Sequence, residues 1–377
     1  LIGAGATGTG GGGAVTPSQN FKVVTYAGNG GTQSITGVGF KPDFVWIKNR
    51  TSSGQGPLIQ DSSRGTGSTK VLFSSENTTE GTYGQYGHVS AFGSDGFTVV
   101  DGSGKHTNSS GENYVAWCWK ANGGTTSSNT DGNITSTVQS NTDAGFSLLT
   151  YSGTNDGSSA TLGTGFDSAI DFVMIKATNS TQSWQVFTNI SGVGRLELNS
   201  SNAEDTGNLL TFNSNGTVQF PSQNGAWNES GKDYVAYCFK SINGYSKFGT
   251  YTGDGSANGP IVETGFEPAF LMVKGRSNSG SWLIFDNSRN TTNPRNKVLR
   301  ADSTAAETTT STIEVDFLSN GFQLTGTDSD YNGSGRTYVY MALATDPTSE
   351  APTLAGSFNI ETYTGNATNN SVDIGFD

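Results

Sequence analysis

The heptapeptide YVAWCWK at residues 114–120 returns as YVAYCFK at 234–240 and as YVYMALA at 338–344. Side chains along a β-strand point alternately to its two faces, so each copy presents apolar residues on both faces. In the first copy the two faces are Tyr114, Ala116 and Cys118, and Val115, Trp117 and Trp119. Because a strand that is apolar on both faces must be covered on both sides, we predict that each copy is the central strand of a sheet.

Each copy of this strand closes a longer repeat. The repeats begin with a strand that ends in Thr-Tyr-x-Gly, and its copies stand at 23–28, 148–153, 248–253 and 360–365. A Gly-Phe pair follows each start, and in three repeats an apolar strand ending in lysine comes next. Self-similarity with a period of about a hundred residues indicates tandem domains. We therefore predict three complete domains and the beginning of a fourth, with further copies to follow.

The repeats divide the chain into seven segments. We predict a glycine-rich leader or anchor at 1–20, β-sandwich repeats at 21–120, 146–240 and 246–344, a polar linker at 121–145, a proline-containing linker at 345–356, and an incomplete fourth repeat at 357–377. A compact domain of this size is roughly 35–40 Å across, so three in line would span on the order of 100 Å. The expected arrangement is a string of separate beads.

The composition favours an all-β fold. Of 377 residues, 53 are glycine, 32% are hydrophobic and only 14% are charged. Short aromatic and β-branched runs bounded by Gly, Asn and Ser are typical of sandwiches and barrels, and no segment has the pattern of an amphipathic helix. We predict a tandem array of about three jelly-roll-like β-sandwiches plus a partial fourth.

The charge pattern argues against two kinds of partner. The formal net charge is −12 and the 20 lysines and arginines are scattered singly, whereas a nucleic-acid surface needs clustered basic residues. No apolar run approaches the roughly 18 residues of a membrane-spanning helix. We predict neither nucleic-acid binding nor membrane insertion.

Residues 3–8 spell G-x-G-x-x-G, the pattern of a dinucleotide-binding loop. Such a loop needs a strand before it and a helix after it. Only two residues precede Gly3, and a run of glycines at 10–13 follows, which is unsuited to a helix. We therefore predict no bound cofactor and interpret the segment as part of the leader.

Catalytic and metal-binding patterns do not recur between the repeats. Cys118 and Cys238 occupy the same place in two repeats, and we interpret them as small buried hydrophobic residues. Histidine occurs only at His88 and His106, both in the first repeat, so no triad or ligand set is repeated. The run DSDYNG at 328–333 begins like a calcium loop but lacks the closing glutamate, so we interpret it as an oxygen-rich turn. We predict no metal, no catalytic residues and no enzymatic activity.

The turn N-x-S-G-x-x-Y precedes every closing strand, and a ring-bearing residue stands just before each turn. One interpretation is structural: Asn and Ser cap the turn, Gly takes a positive φ, and Tyr enters the core. The other is functional, because an exposed ring stacks on a sugar while neighbouring amides bond its hydroxyls. The candidate glycan-binding residues are His106, Trp227, Tyr331, Asn108, Asn228 and Asn332.

Three stretches, 37–51, 110–124 and 127–153, resemble repeat units in tail-fibre-like virion proteins of marine tailed bacteriophages. Those units form a β-domain family of uncharacterised function, often found beside laminin-G or concanavalin-like domains. The resemblance covers nearly all of residues 21–377 and implies no catalytic residues. It departs at 183–194, where the second repeat lacks the Asp-x-Ser-Arg of the other two, and in the closing strand of the third repeat.

The resemblance implies an extracellular virion structural protein, a tail fibre or appendage that contacts host surface polysaccharide. Its implied partners are other virion proteins of the tail, baseplate or capsid, and identical chains in a homotrimer. Two other functions stay open. A capsid decoration protein without a receptor role would need an apolar docking face on the leader and first repeat. A capsule-degrading, carbohydrate-active enzyme would need a cleft with paired acids in one repeat.

Overall fold

Every complete repeat folds into one large and one small antiparallel sheet. A computed structural model describes residues 15–223 and 225–346, and all structural statements concern these residues. Most of the leader, nearly all of the second linker and the fourth repeat lie outside them. The short 3-10 helices of the described chain are Pro17–Gln19, Ser68–Lys70, Gly84–Tyr86 and Gly157–Ser159.

The first repeat contains eight strands. They are β1 (Phe21–Ala27), β2 (Thr32–Ile35), β3 (Phe44–Asn49), β4 (Leu58–Asp61), β5 (Leu72–Phe73), β6 (His88–Gly93), β7 (Gly96–Val100) and β8 (Asn113–Trp119). The large sheet has the order β1-β8-β3-β4-β5, and the small sheet has the order β2-β7-β6. The two sheets enclose one hydrophobic cluster, which makes this repeat a small sandwich.

The second repeat is wider because the segment before it joins its large sheet. Its strands are β9 (Ser127–Asn129), β10 (Ser136–Asn141), β11 (Phe146–Ser152), β12 (Thr161–Gly163), β13 (Phe172–Ala177), β14 (Gln185–Thr188), β15 (Leu196–Glu197), β16 (Thr211–Phe212), β17 (Thr217–Gln219) and β18 (Asp233–Phe239). The sheet orders are β15-β14-β13-β18-β11-β10-β9 and β12-β17-β16.

The prediction of a polar linker at 121–145 is therefore wrong. Strand β10 pairs with β11 along its whole length, and the side chains of Ile134, Val138 and Ala144 are buried. Strand β9 then pairs with β10 at the edge. Because only a few apolar residues alternate among many hydroxyl-bearing ones, the segment has the composition of a linker and the hydrogen bonding of a sheet edge.

The third repeat contains nine strands and a single helical turn. They are β19 (Ser246–Thr252), β20 (Ile261–Glu263), β21 (Pro268–Gly275), β22 (Leu283–Asp286), β23 (Lys297–Arg300), β24 (Thr308–Thr309), β25 (Val315–Leu318), β26 (Gly321–Leu324), α1 (Ser329–Asn332) and β27 (Thr337–Ala344). The sheet orders are β19-β27-β21-β22-β23-β24 and β20-β26-β25. The predicted all-β, multi-sandwich fold is confirmed.

The closing strands occupy the centres of the large sheets, as their apolar faces predict. Strand β8 lies between β1 and β3, β18 between β11 and β13, and β27 between β19 and β21. On β8, Tyr114, Ala116 and Cys118 face the core between the two sheets of the repeat, whereas Val115, Trp117 and Trp119 face a different core. Cys118 and Cys238 are free, buried thiols, and burial raises the pKa of Cys238 to about 12.

The second face of each closing strand packs against the other two repeats. One hydrophobic cluster contains residues from all three large sheets, including Trp117, Tyr237 and Met341 at equivalent positions of the three closing strands. Aromatic contacts cross between the repeats: the ring centroids are 4.4 Å apart for Phe44 and Tyr237, and 6.0 Å apart for Trp117 and Phe270. The predicted string of separate beads is therefore wrong, because residues 15–345 form one compact unit around a shared core.

The three repeats are arranged head to tail in a closed ring. The backbone N–H of Glu80 donates to Thr178 O at 2.7 Å, which joins the first repeat to the second. The same contact joins the second repeat to the third, from Glu204 to Arg276 at 2.9 Å. It is made again from Glu307 of the third repeat to Arg50 of the first, at 3.0 Å. An asymmetric contact that closes after three copies describes a ring with approximate threefold symmetry inside one chain.

Candidate functional site

The rings predicted to bind glycans are not exposed. His106, Trp227 and Tyr331 expose 5%, 2% and 0% of their surface, so no ring face is available for stacking on a sugar. His106 packs 4.5 Å from the ring of Tyr86, and burial lowers its pKa to about 4. The Arg195 guanidinium lies over Trp227. The prediction of an exposed aromatic platform is wrong, because polar neighbours in sequence did not make these side chains solvent-exposed.

The three turn asparagines are buried as well and hold loops together. Asn108 Nδ2 donates to Asn29 Oδ1 at 2.7 Å, and Asn332 Nδ2 donates to Gly326 O at 2.8 Å. Asn228 Oδ1 accepts from the backbone N–H of Thr154 at 2.9 Å. In each repeat a side-chain hydrogen bond of the asparagine thus connects the turn to another loop, and we call this contact the latch. The structural interpretation of the N-x-S-G-x-x-Y turn therefore applies to the three asparagines, and the three rings before the turns are buried.

The first tyrosine of each repeat completes this latch. Tyr26 Oη donates to Thr107 O at 2.6 Å, immediately before the turn asparagine. Tyr151 Oη does the same to Trp227 O at 2.6 Å. Tyr251 Oη donates to Tyr331 O at 2.7 Å. The Thr-Tyr-x-Gly start and the closing turn are therefore two halves of one contact that fixes the end of each sandwich.

Two of the three junctions between repeats contain a buried ion pair. Arg289 Nε donates to Asp286 Oδ2 at 2.6 Å, with both side chains fully buried, and Trp117 Nε1 of the first repeat donates to the same carboxylate at 3.1 Å. The equivalent Asp61, paired with Arg64, accepts from Tyr237 Oη of the second repeat at 2.7 Å.

The third junction lacks this ion pair. Thr188 of the second repeat stands at the position of Asp61 and Asp286, and Met341 of the third repeat stands at the position of Trp117 and Tyr237. The Oγ1 atom of Thr188 is buried without a hydrogen-bond partner among the described residues. The loss of Asp-x-Ser-Arg in one repeat and of the aromatic residue in the next are therefore two sides of a single contact. An apolar methionine has no donor for an aspartate to accept, so the two departures are chemically consistent with each other.

Three equivalent lysines end the apolar strands and are buried beside the junctions. Lys48 Nζ donates to Ser303 O of the third repeat at 3.0 Å, and Lys274 Nζ donates to Asn202 O of the second at 2.7 Å. Lys176 Nζ instead donates within its own repeat, to Ala177 O at 2.6 Å. Carbonyl oxygens hold all three ammonium groups, and none of the three forms a salt bridge with a carboxylate of the described residues.

Stability is expected to rise with pH because of these lysines. Burial lowers the pKa of Lys48 and Lys176 to about 7 and that of Lys274 to about 8. An unfolded lysine titrates near 10.4, so from about pH 7 upward these three lysines carry more protons in the unfolded chain than in the folded one. An unfolded cysteine loses its proton near pH 8.5, whereas the buried thiols of Cys118 and Cys238 have a raised pKa and keep theirs, which opposes the lysines above that pH. The free energy of unfolding should therefore increase between about pH 7 and pH 8.5, by on the order of 1 kcal/mol or more.

Urea unfolding at about pH 7, 7.5 and 8.5 checks this expectation. In Lys176→Met the free energy of unfolding should depend less on pH, because one buried ammonium group is removed. Lys247→Met is the control at an exposed position of the third repeat, and its free energy of unfolding should depend on pH as in the wild type. A variant at Lys176 with an unchanged slope would show that its burial does not control proton binding.

A cleft of about 930 Å³ opens between the first and second repeats. Its walls are residues 63–64, 69–70 and 79–82 on one side, and 128, 135–137, 150–152, 178–179 and 233–234 on the other. Eleven of the nineteen lining residues are serine or threonine. Thr150 lies two positions beyond Leu148 on β11, so the cleft continues the inner sheet face where it changes from apolar to hydroxyl-bearing.

The cleft opens where two contacts of the other junctions are missing. Arg50 pairs with Glu307, and Arg276 pairs with Glu204, each at 2.8 Å across a junction. The equivalent residue at the junction of the first and second repeats is Thr178, which is too short to cross and lines the cleft. Lys176 also stays within its own repeat. The space that long cationic side chains fill elsewhere is open here.

The charged groups of the cleft are already paired. Glu80 accepts from Arg64 Nη1 at 2.6 Å and from Lys70 Nζ at 3.0 Å. Asp233 accepts from Ser152 Oγ at 2.7 Å and from Asn179 Nδ2 at 3.2 Å. These two cations and two carboxylates are the charged residues of the lining, so their formal charges cancel.

The described residues contain no group of three His, Cys, Asp or Glu side chains placed to hold a metal ion. The calcium-like run at 328–333 forms the helical turn α1, in which Asp328 Oδ1 accepts from the backbone N–H of Asp330 at 2.8 Å. Its oxygens therefore cap a turn, as the oxygen-rich-turn interpretation predicts. None of the described helices is long and apolar enough to cross a membrane.

Comparison with known domain families gives one match, described as "Domain of unknown function (DUF7483)", over residues 16–347. The chain belongs to this family. The matched range contains all three complete repeats, and the compact unit formed by the structure ends at Thr345. The DUF7483 domain is therefore the closed ring of three repeats, not a single repeat. No curated protein and no solved structure matches the chain.

Sequence reasoning missed the cleft because its residues come from separate repeats. The signal that could have indicated it stands two positions after the buried lysines, where Arg50 and Arg276 align with Thr178. A long cation replaced by a short hydroxyl residue at one of three equivalent positions marks the junction that stays open.

Proposed function

We propose that this chain is a structural protein of a bacteriophage particle, a tail fibre or appendage, and that the ring of three repeats contacts polysaccharide on the host surface. The observation that carries the proposal is the open, hydroxyl-lined cleft between the first two repeats. A surface rich in hydroxyl and amide groups matches the hydrogen-bonding groups of a polysaccharide. The resemblance to tail-fibre-like repeats points to the same role.

The homotrimer and the virion partners belong to this proposal. The apolar inner faces of the large sheets are already covered within one chain. Identical chains would therefore join through other surfaces, and the ring would act as a rigid head on the appendage.

The proposal assigns no enzymatic activity to the cleft. A glycosidase uses two carboxylates that flank the scissile bond, one of which is a proton donor. Glu80 and Asp233 come from different repeats, and each is held by donors of the protein itself. The capsid-decoration alternative needs an apolar docking face on the leader and the first repeat. Most of the leader lies outside the described residues, and the large exposed hydrophobic residues of the described chain are Leu209 and Ile261, in the second and third repeats.

The location of the protein in the particle tests the proposal. Antibodies against residues 15–346 carrying gold labels should bind to a tail appendage in electron micrographs of intact particles. Labels spread over the capsid lattice would contradict the fibre role and support decoration.

A further inference from the structure

We infer that the cleft between the first and second repeats is the saccharide-binding site and that it binds an uncharged polysaccharide. This inference rests on the proposed function for the kind of ligand, and on the geometry of the cleft for its place and charge. The volume of about 930 Å³ lies within the roughly 300–1,000 Å³ of ordinary ligand sites.

The cleft offers unused hydrogen-bonding groups. The hydroxyls of Thr137 and Thr150, which are cross-strand partners on β10 and β11, make no hydrogen bond within the described residues. Thr69 and Thr82 on the opposite wall are exposed. Each hydroxyl is one donor and two acceptors, and each threonine methyl presents a small apolar surface to the C–H groups of a sugar.

The balance of charge selects a neutral ligand. Arg64 is paired with Asp61 and Glu80, Lys70 is paired with Glu80, and the whole chain carries a formal charge of −12. A uronate- or phosphate-bearing polysaccharide would approach a negative protein and find the two cations already bound to Glu80. An uncharged polysaccharide is not repelled by the negative protein and needs no free cation in the cleft.

The other two junctions of the ring show which substitution would close the cleft. Thr178→Arg introduces the side chain that crosses the other two junctions, and Glu80 stands where Glu204 and Glu307 accept those arginines. The substitution should therefore fill the cleft with a contact that the fold already tolerates twice. Thr150→Val removes one free hydroxyl at constant shape, and Thr250→Val is its matched control at the equivalent position of the third repeat.

Binding of the full chain to an array of neutral and uronate-containing bacterial surface polysaccharides, followed by calorimetry with the polysaccharides that bind, tests the inference. The wild type should bind neutral polysaccharides, Thr178→Arg should weaken binding about tenfold or more, and Thr150→Val about threefold. Thr250→Val should bind like the wild type.

Three results would overturn the inference: no binding by the wild type, a preference for acidic polysaccharides, or wild-type affinity in both cleft variants. These outcomes are separate from the location of the protein. A capsid protein that binds neutral saccharides through this cleft would contradict the fibre role alone, and a tail protein with no such binding would contradict the saccharide site alone.

Discussion

Trp117→Ala is expected to lower the free energy of unfolding of the whole three-repeat unit by about 3–5 kcal/mol. The indole is fully buried in the shared core and lies 5.7 Å from Trp46 and 6.0 Å from Phe270, measured between ring centroids. Its removal leaves a cavity at the contact of the first and third repeats and also removes a donor to Asp286. Urea unfolding followed by circular dichroism should show one transition at a lower midpoint.

Trp227→Ala is the matched control, because Trp227 is also buried but belongs to the core between the two sheets of the second repeat. Amides that exchange through local openings should respond to Trp227→Ala mainly in that repeat and to Trp117→Ala in all three repeats, whereas the slowest amides, which open globally, should respond to both variants. A separate early transition of the first repeat in Trp117→Ala, with the other two unchanged, would mean that the repeats do not share a core.

Asp286→Thr should also destabilise the unit by about 3–5 kcal/mol, because it leaves a buried cation without its main partner. Arg289 is 3% exposed, and its remaining acceptors are two backbone carbonyls and Glu307. Thermal unfolding of the purified chain measures the loss.

The double substitution Asp286→Thr with Arg289→Ser reproduces the residues that the second repeat has at 188 and 191. It should cost less than Asp286→Thr alone, although it removes more of the native contact, because no buried charge is left unpaired. A double variant less stable than the single one would show that the pair stabilises the junction through its other hydrogen bonds.

The alternation in the closing strand was enough to predict its place in the sheet and its two apolar faces. It could not indicate what covers each face, since periodicity defines a face without naming its partner. The face of Trp117 could belong equally to a broader sandwich or to a neighbouring repeat. Repetition in the sequence indicates that there are several similar domains, but it carries no information on whether they pack against one another. The sequence therefore predicts separate beads, and the packing between repeats is visible only in the structure.

The glycan candidates failed for a related reason. His106, Trp227 and Tyr331 stand among Asn, Ser and Gly, and this polar setting suggested exposure. In the structure the polar side chains bond to backbone groups of neighbouring loops, so the turn is satisfied internally and the rings can be buried. Composition describes which groups a loop contains, and hydrogen-bond partners decide whether the loop faces water.

The cleft could be inferred from the sequence only once the ring was known. The replacement at Thr178 has no meaning within a single bead, because Arg50 and Arg276 act on glutamates of other repeats. Only when the cyclic order of the repeats is known does the threonine at 178 indicate that the junction of the first and second repeats lacks an arginine–glutamate pair and stays open.

Native-state hydrogen exchange of the full chain, measured by mass spectrometry in increasing urea, tests most directly whether the three repeats are one cooperative unit. Peptides covering β8, β18 and β27 report on the centre of each large sheet. A shared core predicts that their slowest amides merge into one opening reaction with a single free energy and urea dependence. Three distinct opening free energies, one for each repeat, would contradict the closed ring and restore the string of beads.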